Sequence, residues 1–106
     1  MNTEDISRLI TKQVTDGQVR FSQHAQQEMT DEGITVQDVL QCLLESTLLE
    51  NYPSHKRGAC CLIMGWTHTG RPVHVVCSTH LDILVIITVY MPLPPKWVTP
   101  SIRRRK

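Results

Sequence analysis

Trp66-Thr67-His68-Thr69-Gly70-Arg71-Pro72-Val73-His74-Val75-Val76 decides how this chain folds. Two largely apolar runs flank a polar turn at Thr69-Gly70, which predicts a pair of antiparallel strands, Cys60–Thr67 and Pro72–Ser78. A third run, Ile83 to Tyr90, adds another strand. A turn centred on Thr69-Gly70 sets Trp66 opposite Val73, Met64 opposite Val75 and Leu62 opposite Cys77, for a loop of either two or four residues. Those six residues then form one apolar face, directed at the helices. His74 falls on the other face, across from Gly65, which leaves space over the imidazole. On the last strand Ile83, Val85, Ile87 and Val89 form one set, and Leu84, Ile86, Thr88 and Tyr90 the other. With the second set on the His74 face, Thr88, Tyr90 and His74 share a surface that Arg71 reaches from the turn.

Working towards the N-terminus, Thr47–Tyr52 reads as a further strand, followed by a basic loop, Pro53 to Gly58. Before it, Thr35-Val36-Gln37-Asp38 reads as a capping box with Asp in the acidic position. It opens a helix whose core face is Val36, Val39, Leu40, Leu43 and Leu44. An earlier helix runs from a Ser22 cap to Gly33, with Ala25 and Met29 inward and with His24 and Glu28 one turn apart. The first helix, capped by Thr3, extends to about Val14 and carries the stripe Ile6, Leu9, Ile10 and Val14. Helices first and an antiparallel meander after them make the class α+β, with the helices packed on one face of a small twisted sheet. Towards the C-terminus, the prolines between Met91 and Pro100 rule out regular helix or central strand. We expect one domain over residues 1–98, with Trp97 as an anchor, and a basic tail over 99–106.

The 106 residues carry a net charge of +1, divided unevenly. Residues 1–50 hold Arg8, Lys12 and Arg20 against nine carboxylates, a net −6; residues 51–106 hold eight Lys or Arg against Asp82 alone, a net +7. The basic half, ending in Arg103-Arg104-Arg105-Lys106, suits an anionic partner. No apolar run approaches the roughly 20 residues of a membrane span, and the acidic start is wrong for a secretory signal, so a cytoplasmic protein is expected. Four cysteines without a Cys-x-x-Cys pair read as buried thiols in a reducing compartment. Nothing supplies a third ligand to His24 and Glu28, so no metal or other cofactor is expected. His55, His68 and His80 fall in loops or at turn edges.

His24-Ala25, Gly33-Ile34-Thr35, Asp38-Val39, Glu50-Asn51-Tyr52, Gly70-Arg71-Pro72-Val73-His74-Val75-Val76 and Ile87-Thr88-Val89-Tyr90, through Trp97 to Arg103-Arg104, succeed one another in an order that resembles a known family. It is the small bacterial "domain of unknown function 4258" family, and the resemblance covers roughly residues 18–105. That family is grouped with RelE/ParE-like toxins, α+β domains that pair with an antitoxin protein. Several members of the wider group cleave mRNA, often on the ribosome. The resemblance therefore implies a metal-independent endoribonuclease toxin, or else a non-catalytic module of the ParE kind that inhibits a protein target. Cleavage needs a base for the 2′-hydroxyl, cations for the phosphorane and an acid for the leaving oxygen. His74 and His24 suit proton transfer, Arg71 suits phosphate clamping, and Tyr90 suits proton donation or base stacking. Thr88, Lys96, Trp97, Arg103, Arg104 and Arg105 are the expected RNA-binding set.

Overall fold

A computed structural model describes residues 2–45, 47–93, 97–99 and 101–103. The elements are α1 (Thr3–Thr15), β1 (Val19–Phe21), α2 (Gln23–Glu32), α3 (Val36–Glu45), β2 (Thr47–Tyr52), β3 (Cys60–Trp66), β4 (Pro72–Ser78), β5 (Leu84–Tyr90), β6 (Trp97–Thr99) and β7 (Ile102–Arg103). The first five strands form one sheet in the order β1-β5-β4-β3-β2, while β6 and β7 pair separately. The class is α+β, as expected, but the sheet is mixed: β1 runs parallel to β5. Three residues of β1 suffice because the chain leaves at once into α2, whose start is tied to β5 by the Ser22 amide on the Ile86 carbonyl.

Local signals set the helices. Asn2, one residue before the expected Thr3, caps α1 by accepting from the Asp5 amide. Ser22 caps α2, and Gly33 ends it in the left-handed conformation. Thr35 and Asp38 form the reciprocal box that starts α3, each side chain accepting from the other's amide. Within α3 the buried stripe is Asp38, Val39, Cys42 and Leu43, whereas Val36 and Leu44 are exposed. Cys42 replaces them at the sheet because it faces Gly65, where a Cβ would lie 2.6 Å from the Cys42 sulfur. Ile6, Ile10, Ala25, Met29 and Val39 meet Cys61, Ile63, Val73, Val75, Cys77, Leu84, Ile86 and Val89 in one core. The helices do not all lie flat on that face, since α2 continues along the outer edge of β5 beyond β1.

The β3–β4 register differs from the expected one by a single residue: Trp66 pairs with Pro72, Gly65 with Val73 and Met64 with His74. The loop is His68-Thr69-Gly70, closed by Thr67 N–H to the Arg71 carbonyl at 2.8 Å and Gly70 N–H to the Thr67 carbonyl at 2.9 Å. A three-residue loop has the opposite parity from a loop of two or four. A two-residue Thr69-Gly70 turn of type I′ would force positive φ on β-branched Thr69, and no non-glycine residue among those described adopts it. The slip moves every side chain of β3 to the face opposite the expected one. Gly65 therefore faces α3, Trp66 is 52% exposed, and the expected space above His74 is occupied.

Candidate functional site

His74 and Tyr90 are direct cross-strand partners, so their side chains emerge on one face of the sheet. That is the face away from the helices, because the flanking Val73 and Val75 lie in the helix-side core. The rings meet edge to face with centroids 5.2 Å apart, and His74 Nδ1 lies 3.2 Å from the Tyr90 hydroxyl. His74 is 0% exposed, and the Tyr90 against it is half-buried.

A bulge puts Tyr90 there. Val76 pairs with Thr88 but Cys77 with Ile86, leaving Ile87 as the extra residue of β5. The bulge splits both expected sets: Leu84 and Ile86 face the core before it, and Val89 after it. Thr88 and Tyr90 thereby reach the His74 face, as expected from the sequence, by a route that strict alternation does not provide.

β1 leaves the second half of β5 without a strand on its outer side, and Glu28 of α2 fills that gap. Its Oε1 accepts from the Val89 amide at 2.9 Å and from the Thr88 hydroxyl. The same oxygen lies 3.3 Å from Nε2 of His24, which is 70% exposed. His24 and Thr88 are therefore joined through Glu28 at the edge of β5, and His74 and Tyr90 form a separate pair on its face. Glu28, absent from the expected site residues, is the group that joins His24 to Thr88. Its spacing from His24 was legible, but its bond to the sheet edge spans 61 residues.

Arg71 is placed differently. Its Nη1 donates to the Glu32 carbonyl at 3.0 Å and to the Met91 sulfur at 3.7 Å, and its Nη2 donates to the Gly33 carbonyl at 3.2 Å. The guanidinium thus caps α2, a favourable place for a cation beside orphan carbonyls. Trp97 and Arg103 are backbone partners in the small β6–β7 sheet. Lys96, Arg104 and Arg105 lie outside the described residues.

A second arrangement was not anticipated. Asp38 is 3% exposed, and its Oδ1 accepts from the His68 amide at 2.8 Å and lies 2.8 Å from His68 Nδ1. Burial pushes the Asp38 carboxyl up, but the bonds from His68 and Thr35 outweigh it and hold it well below the usual carboxylate range. The His68 side chain is 67% exposed. It borders a groove of about 630 Å³ between α3 and the β3–β4 loop, lined also by Gln37, Gln41, Glu45 and Trp66. The capping box was legible; its spare carboxylate oxygen was the signal that a further donor had to exist.

Among the described residues, no three His, Cys, Asp or Glu side chains gather as a metal-binding group. No helix among them is long and apolar enough to cross a membrane. No curated protein and no solved structure matches the chain. The family model for the domain of unknown function DUF4258 does match, over residues 21–91, which hold the His74–Tyr90 pair, Glu28 and the Asp38–His68 pair alike, and the chain belongs to that family.

Proposed function

We propose that the chain is the toxin component of a bacterial toxin–antitoxin pair, acting in the cytoplasm as a metal-independent endoribonuclease on mRNA. The observation that carries this reading is the His74–Tyr90 pair: a buried imidazole with its Nδ1 at hydrogen-bond distance from the hydroxyl of a half-buried phenol. Tyr90 donates its proton to the leaving 5′-oxygen, and His74 orients the phenol and takes part in restoring its proton. His24, exposed and steadied by Glu28, takes the proton of the 2′-hydroxyl. The 2′-oxygen then bonds to phosphorus as the bond to the 5′-oxygen breaks, leaving a cyclic phosphate. No protein nucleophile is required. Basic residues of the C-terminal half supply attraction for the RNA backbone, and the antitoxin is the protein partner.

The test is to map new RNA ends in a translating cell-free extract with wild type, Tyr90→Phe and His74→Gln, each checked for folding by circular dichroism. Discrete ends that fall about a hundredfold with Tyr90→Phe are expected. Folded wild type that produces no new ends overturns the reading. The second reading, a non-catalytic RelE/ParE-like module that binds a protein target, is favoured by Arg71, whose guanidinium caps α2.

A further inference from the structure

The groove beside His68 shares no residue with the His74–Tyr90 pair, and a role for it stands whether or not the chain cleaves RNA. A smaller cavity of about 150 Å³ adjoins it, and Gln41, Glu45 and Trp66 line both. No Lys or Arg lines either one among the described residues, and the α3 wall belongs to residues 1–50, which carry a net −6. Asp38 is already satisfied by Thr35 and His68, so Glu45 is the carboxylate left to meet a ligand. Among the described residues, Glu45, the Gln37 and Gln41 amides and the Trp66 indole N–H have no hydrogen-bond or ion-pair partner.

The walls are fixed in advance. Asp38 ties the β3–β4 loop to α3 through two bonds to His68, and the Cys42 thiol donates to the Trp66 carbonyl at 3.7 Å. Close contact of Cys42 with Gly65 holds the end of β3 against the helix. A half-exposed indole beside a carboxylate, on a rigid frame with amides around it, fits a flat cation with several N–H donors. A phosphate would meet no Lys or Arg here, so this groove suits RNA poorly. Tryptophan and arginine are also the residues that most often anchor protein interfaces.

We propose that this groove binds an arginine side chain presented by a protein partner, its guanidinium over the Trp66 indole and paired with the Glu45 carboxylate. Arg fits better than Lys, because its planar fork stacks on the ring while its edge reaches Glu45 and the Gln41 amide oxygen.

The test uses the full chain, labelled with ¹⁵N, and tracks the Trp66 indole resonance, assigned by its loss in Trp66→Phe. The probes are a blocked hexapeptide of glycine and serine with one central arginine, and its twin with citrulline, which keeps the shape and removes the charge. Saturable movement of the Trp66 resonance with the arginine peptide is expected, about tenfold weaker with citrulline. Glu45→Gln, on an exposed carboxylate whose loss leaves the fold intact, should remove that difference. Equal response to both peptides overturns the proposal, and so does the absence of saturable movement. A resonance that moves with protein concentration alone assigns the groove to a second copy of this chain and also overturns it.

Discussion

Two histidines six residues apart occupy opposite situations. His68 holds its imidazole in solvent and rests on a buried carboxylate, whereas His74 is itself buried and rests against a half-buried phenol. In the first pair the acid is the hidden member, and in the second the imidazole is. The difference arises from the loop between them, because three loop residues place His74 inside the sheet ladder and leave His68 as the first residue outside it. It teaches that an imidazole's role is set by the strand register around it more than by its neighbours in sequence. Truncation should separate the two most clearly. His74→Ala opens a cavity in a closed layer and is expected to cost about 3 kcal/mol, while His68→Ala should cost under about 1 kcal/mol. Chemical denaturation of both variants checks this, and equal losses would break the contrast.

The second expectation sharpens the hidden-acid half of the comparison. Asp38→Ala leaves the Thr35 and His68 amides without their acceptor and is expected to cost about 2–3 kcal/mol at neutral pH. Its pH dependence has a definite sign. The folded-state pKa of Asp38 is depressed, so its contribution is present above the unfolded value of about 3.9 and is lost as the pH falls towards the folded value. Wild-type stability should therefore drop below about pH 4, and Asp38→Asn should flatten that drop. Melting curves of both proteins from neutral pH to pH 3 decide it, and parallel curves would count against the dyad as a source of stability.

Gly65→Ala probes the frame that carries both regions. Its new methyl would fall 2.6 Å from the Cys42 sulfur and 3.1 Å from the Cys42 backbone, so the helix itself must move. A cost of about 2 kcal/mol is expected, and Cys42→Ala in the same chain should recover part of it. Urea unfolding of the single and double variants measures the recovery. None would mean that the backbone, not the thiol, sets the clearance.

Much of this molecule was legible where the signal was local. Ser22, Gly33 and the Thr35–Asp38 box announce their helices within four residues, and the strands β2, β3, β4 and β5 stand out by composition. The misreadings arise where one residue changes parity or where partners lie far apart. The extra residue Ile87 in β5 cannot be seen in an alternation that looks unbroken on either side of it. β1 is too short to announce a parallel partner 65 residues away. The Asp38–His68 and Glu28–Val89 bonds cross 30 and 61 residues, so neither site assembles in a reading by segments. Thr69, by contrast, was informative: a β-branched residue before glycine argues against a two-residue type I′ turn.

A small effect is expected one residue further on, at Gly70. It sits at φ +83° with open space around its missing Cβ, so a substitution there meets no neighbour and tests backbone conformation alone. Gly70→Ala is expected to cost about 1 kcal/mol through the left-handed conformation, and Gly70→Asn, which tolerates that region, clearly less. Cross-strand nuclear Overhauser contacts should still pair Gly65 with Val73 in both variants, since the three-residue loop, not the glycine alone, sets the register. A shift to the pairing Trp66–Val73 in either one would mean that the glycine selects the parity, and the contrast between His68 and His74 would then depend on a single residue.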